Sequence, residues 1–190
     1  MSDNLNARLA TIVALVEKHP PLGRTAVMKL CYFLQTLRNV PLGYRFTLYS
    51  YGPFDVSVLS DISSAETFGG IVSKTVLYPG GYGYEISPAS KSRAVKAMAS
   101  DFIKKYGPDI NWAIEQFGEL GSADLELLST IVYVDRESAE AKARQSADSL
   151  AERVQEIKPH FKKSYVQSKV TYLEEEHLLR SLKGNSVSRS

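Results

Sequence analysis

Residues 45–62 read RFTLYSYGPFDVSVLSDI, and the chain changes character at their centre. From Tyr44 to Tyr51 aromatic and polar residues alternate with the two-residue period of a half-buried strand, placing Phe46, Leu48 and Ser50 opposite Arg45, Thr47, Tyr49 and Tyr51. Gly52-Pro53 ends that pattern, and proline suits the first turn of a helix, where its missing N–H is no loss. From Phe54 on, Val56, Val58, Leu59 and Ile62 recur at helical spacing as far as Ser63–Phe68. The stretch therefore predicts a strand turning into a helix at an aromatic corner. That corner is either core or a surface built for a partner.

Upstream, Leu5, Leu9, Ile12, Val13 and Val16 form one helical stripe after Asp3, a candidate N-cap, and the stripe stops at His19-Pro20-Pro21. A second helix opens at Arg24 or Thr25, carries Val27, Leu30, Cys31, Leu34 and Leu37 on one face, and ends before Pro41-Leu42-Gly43. Downstream, two β-rich runs, Ile71–Tyr78 and Tyr82–Ile86, flank Pro79-Gly80-Gly81 and predict a β-hairpin. From Pro88 the period is helical, over 90–105, 109–117, 122–147, 149–157 and 163–182. Asp135–Arg144 reads as a solvated helix face or a loop.

This order predicts an α+β fold that is mainly helical, with a winged-helix-like N-terminal part, a small antiparallel sheet and a helical C-terminal extension. Residues 1–87 are expected to form the winged-helix-like part, with strand 44–51 paired to the wing hairpin. Residues 88–183 are expected to be a helical extension packed on it, and 184–190 a flexible tail.

Apolar residues make up 44% and charged residues 23% of the 190, the balance of a chain that folds by itself. A net charge of +2 predicts no polyanion partner. Cys31, the single cysteine, allows neither an intramolecular disulfide nor a cysteine metal cluster, so a reducing, cytoplasmic setting is expected. No apolar run reaches the ~18 residues of a membrane span, so neither secretion nor a membrane partner is expected. Composition leaves a homo-oligomer open.

No phosphate-binding lysine loop, His-Glu-x-x-His, G-x-S-x-G or Cys-x-x-Cys occurs. Pro79–Gly83 lacks the lysine and the following helix of a phosphate loop and reads as a turn. His19, His160 and His177 are far apart, and Cys31 sits among apolar neighbours that disfavour its thiolate. The expectation is a protein that is not an enzyme, with no cofactor and no metal.

Seven of the eleven tyrosines lie between Tyr32 and Tyr84. Tyrosine buries a ring while leaving its hydroxyl wet, which suits core margins and binding surfaces alike. The candidate partner-binding residues are Tyr32, Arg45, Tyr49, Tyr51 and Phe54. The competing reading is a winged-helix regulator of double-stranded DNA, with Arg24, Lys29, Lys74, Lys91 and Arg93 as candidate phosphate contacts. Residues 41–87 carry only Arg45 and Lys74 against Asp55, Asp61, Glu66 and Glu85, and the expected recognition helix, 53–68, has no lysine or arginine. Such a helix is poorly equipped for a major groove.

The block Met28–Gln35, MKLCYFLQ, with Gly43-Tyr-x-Phe-x-x-Tyr-x-Tyr-Gly-Pro-Phe-x-x-x-Val58 and Gly70-Ile71, resembles the bacterial YwgA-like proteins. Ile157-Lys-Pro-His-Phe161 is similar to their C-terminal pattern. More distantly, the Lys-Leu-x-Tyr-Phe and Tyr-Gly-Pro elements resemble the Panacea domain of toxin-antitoxin systems, whose members neutralise toxins or act as adaptors. The matching positions are Lys29, Tyr32, Gln35, Tyr51, Gly52, Pro53 and Phe54. The resemblance implies a non-catalytic cytoplasmic regulator or adaptor that binds a protein partner, in a toxin-antitoxin or defence context.

Overall fold

A computed structural model describes residues 2–182. Leu9, Ile12, Val13 and Val16 are fully buried on α1 (Ser2–Lys18), as their spacing requires. The helix begins at Ser2, so Asp3 lies inside its first turn and is not its N-cap. After α2 (Arg24–Leu37) come β1 (Thr47–Tyr49) and β2 (Gly52–Phe54), then α3 (Val56–Thr67), β3 (Ile71–Tyr78) and β4 (Gly81–Pro88). Five helices complete the described chain: α4 (Ser92–Ala97), α5 (Ser100–Phe117), α6 (Ser122–Glu140), α7 (Ala147–Ile157) and α8 (Lys163–Glu175). The fold is α+β and mainly helical, with two small antiparallel two-stranded sheets, β1-β2 and β3-β4.

The chain divides into two compact units. Residues 2–49 and 54–125 form the first, and residues 50–53 and 126–182 belong to the second. The boundary therefore falls inside α6 and not at residue 87. The reason is packing: α1 needs cover, and α4 and α5 supply it through Val95, Ile110, Ala113 and Phe117. Phe33 of α2 stacks on Phe117 with ring centroids 4.1 Å apart.

In the first unit Leu22 and Ile86 exchange backbone hydrogen bonds of 3.0 and 2.8 Å, adding an isolated bridge to the free side of β4. Along the chain the order is α1, Leu22, α2, β1, β2, α3, β3, β4. The strand read over 44–51 is shorter than expected and does not pair with the wing. It turns back on β2 instead. Pro53 lies in β2, and α3 starts at Val56 because Asp55 caps it, its carboxylate accepting from Ser57 N–H at 2.8 Å and from Arg45 N–H at 2.5 Å. Val56, expected on the buried stripe, is exposed; Val58, Ile62 and Ala65 are buried.

The helices of the C-terminal half differ from the expected spans. The break falls at Met98-Ala99, and α5 continues through Pro108, because its stripe of Ile110, Ala113 and Phe117 is held in the core. In the second unit α6 stops at Glu140 and α8 at Glu175. Asp135, in a segment read as a solvated helix face or a loop, is fully buried on α6 and accepts hydrogen bonds from the N–H of Arg180, the N–H of Ser181 and the Ser181 hydroxyl. That carboxylate holds the chain after α8 in a non-helical path. The expected tail, 184–190, lies outside the described residues.

Candidate protein-interaction surface

The aromatic corner is core at its base. Within the first unit the Gln35 side chain brackets Tyr44, donating to its carbonyl and accepting from its N–H, both at 2.9 Å. The Phe46 ring then meets Tyr32 edge-on at 5.1 Å and Tyr44 at 5.6 Å. Tyr32 is buried in this cluster, so its ring has no place on an outer surface, contrary to the expectation that it binds a partner. The Tyr44 hydroxyl donates to Asp61 at 2.8 Å, and Arg8 Nε lies 2.8 Å from the same Asp61 oxygen. Burial pushes the Asp61 carboxyl above its usual range, against the pull of Tyr44 and Arg8. Burial likewise raises the Tyr44 hydroxyl and the Cys31 thiol, which leaves Cys31 an inert core residue.

Away from this base the rings come out. Alternation along β1 leaves Leu48 half-buried and Tyr49 65% exposed, its ring 5.5 Å from the half-buried Phe54, while Arg45 is exposed on the same unit. In the second unit, Tyr51 is 75% exposed between two anchored neighbours. Ser50 gives its carbonyl to Lys158 Nζ, and Gly52, at φ +85°, lies so close to α6 that an added Cβ would meet Ser129 Oγ at 3.0 Å and the Glu126 carbonyl at 3.2 Å. Lys158 is itself buried, and its ammonium donates to Glu126 at 2.7 Å; His160 Nε2 stands 3.5 Å from the same carboxylate.

The wing of the first unit adds a second exposed set. Leu77, Tyr78 and Tyr82 lie out in solvent near the Pro79-Gly80 turn, and Tyr84 carries the Arg24 guanidinium 3.5 Å from its ring centroid. Of the candidate phosphate contacts, Lys74, Lys91 and Arg93 are exposed. Lys29 is buried and out of reach of a duplex, and Arg24 is engaged by Tyr84. The outer side of α3 presents Val56, Ser60, Ser63, Thr67 and Phe68, with no positive charge.

Among the described residues no three His, Cys, Asp or Glu side chains are grouped to hold a metal ion, and no helix is long and apolar enough to cross a membrane. An open groove of about 370 Å³ beside the Glu17–Lys96 ion pair has no histidine, cysteine or serine in its lining. Sequence reasoning missed the charges that organise both units, Arg8 with Asp61, Lys158 with Glu126, and Asp135. A signal was there: Lys158 follows Leu150 and Val154 at helical spacing, and Asp135 follows Leu128 and Ile131. A charge set on an apolar stripe is a charge to be buried with a partner. No protein-family model matches the chain, and no curated protein matches it.

Proposed function

We propose that the protein is a non-catalytic regulatory or adaptor module that binds a protein partner through the β1-β2 hairpin, with Arg45, Tyr49, Tyr51 and Phe54 as contacts. One observation carries the reading: on the first unit Tyr49 holds its ring 65% exposed beside the half-buried Phe54, on a segment that Phe46 anchors against Tyr32 and Tyr44. Rigidly held, exposed tyrosines offer contact area at low entropic cost, the property that enriches them in binding surfaces. The likeness of MKLCYFLQ and YSYGPF to YwgA-like and Panacea proteins is in keeping with it, and suggests a toxin-antitoxin or defence setting in the cytoplasm.

The test is co-purification from native cells of the wild type beside a Tyr49→Ala/Tyr51→Ala variant whose fold is verified by circular dichroism. A stoichiometric protein that is retained by the wild type and lost from the variant is the expected result. Co-purifying DNA with no protein, bound with an affinity that falls steeply with salt, would replace the adaptor with a DNA-binding regulator acting through Lys74, Lys91 and Arg93.

A further inference from the structure

The wing carries an unpaired edge whose chemistry is self-complementary. Tyr78 and Gly81 close a two-residue turn, Pro79-Gly80, and the register runs back from there to Ile71 opposite Pro88. A pair closing such a turn exchanges both of its backbone hydrogen bonds, and in an antiparallel ladder such pairs alternate with pairs that do not. Tyr78, Val76, Lys74 and Val72 therefore turn their N–H and C=O toward β4. The far end agrees with this alternation: Ala89 N–H donates to Gly70 O at 3.1 Å, and Ile86, opposite Ser73, sends both of its groups outward to Leu22. By the same alternation Ser73, Thr75 and Leu77 point their backbone groups outward from β3. Among the described residues no strand or bridge pairs with that edge.

The edge carries few of the usual protections against pairing, which are proline, a bulge, or charged side chains, lysine above all. Lys74 is its one charged residue, and Pro79 stops it only at the turn. Val72 and Tyr78 are each 54% exposed and Leu77 is 86% exposed.

We propose that β3 is a dimerisation edge, on which a second copy of this chain lays its own β3 antiparallel across a two-fold axis at Thr75. A two-fold axis normal to the sheet keeps each face with itself, and outward groups must meet outward groups, so the axis passes through one residue. Centred on Lys74, the pairing sets two ammonium groups against each other. Centred on Ser73 or Val76, it uses fewer residues of the exposed edge. Centred on Thr75, it spans 72–78, pairs Thr75 with Thr75, sets Lys74 opposite Val76, and covers each exposed Val72 with the other copy's Tyr78. Threonine pairs and aromatic–β-branched pairs are favourable cross-strand neighbours, and like charges directly opposite are not. The contact is isologous and closes at two copies. It uses the wing alone and stands independently of the hairpin reading.

Sedimentation velocity over a concentration series tests it on the full chain. The wild type is expected to pass from monomer to dimer, and Thr75→Pro, which removes one outward N–H and no bond to β4, is expected to stay monomeric. Circular dichroism and Trp112 fluorescence establish that the variant is folded. Should Thr75→Pro fail to fold, cysteine pairing decides the matter: a Lys74→Cys/Val76→Cys double variant is expected to form an intermolecular disulfide under mild oxidation, and Lys74→Cys alone is not. A wild type that remains monomeric at every concentration overturns the proposal. So does a dimer that Thr75→Pro leaves intact, or cross-linking by Lys74→Cys alone.

Discussion

Tyr44, Asp61 and Arg8 illustrate how single residues set the energetics of the first unit. Tyr44→Phe removes the donor to a buried carboxylate while keeping the ring, and is expected to cost about 1.5–3 kcal/mol in a denaturant titration. The pH dependence follows from the direction of the Asp61 shift. A carboxyl raised above its unfolded value of 3.8 takes up its proton first in the folded state, so its contribution to stability is fully present below 3.8 and is lost as pH rises through the raised value. Wild type is therefore expected to lose stability relative to Asp61→Asn as pH increases through that window, and a difference that stays flat with pH would refute the assignment. In the second unit, Lys158→Met leaves the buried Glu126 without its ammonium partner and is expected to cost about 3–5 kcal/mol; a Lys158→Met/Glu126→Leu double variant should recover much of the loss.

At the scale of elements, the corner shows why a strand-to-helix reading was half right. Pro53 suits a helix start by its own geometry, but a carboxylate two residues on makes the better cap, and Asp55 takes that role. Gly52 holds a left-handed φ against α6, so Gly52→Ala is expected to destabilise by roughly 1–3 kcal/mol, combining backbone strain with the close contact at Ser129. The opposite sign is expected at Pro108. This residue is exposed and lies in the interior of α5, where it supplies no N–H to the ladder. Pro108→Ala should raise stability by about 1–3 kcal/mol, as read by thermal or denaturant unfolding. Loss of stability would mean that the proline fits a path alanine does not.

At the scale of the molecule, the chain passes between its two units three times, after residues 49, 53 and 125. Four residues of the second unit are thus spliced into the sequence of the first. Trp112, the sole tryptophan, lies in the first unit and Lys158 in the second. Trp112 fluorescence in denaturant therefore reports on the first unit, and the loss expected of Lys158→Met is read by circular dichroism, which reports on both.

Periodicity alone determined most of the residues that face the core, because a stripe at helical or two-residue spacing is a property of the chain by itself. Leu9, Val13, Leu30, Leu34, Ile71 and Ile86 are buried as their spacing required, and the alternation over 44–51 correctly separated Leu48 from Tyr49. The mainly helical α+β class followed from the same patterns. What tertiary structure decided is everything that depends on a partner distant in sequence. Whether strand 44–51 joins the wing or folds back on itself is a choice between two pairings of equal local merit. Whether Asp61, Asp135 and Lys158 are solvated or buried depends on Tyr44, Ser181 and Glu126, none of which lies within ten residues of its partner. Tyr32 and Tyr49 are the same side chain on different elements, α2 and β1. One is core because Phe33 and Phe46 pack against its ring, and the other is surface, with the half-buried Phe54 tilted beside it at 5.5 Å.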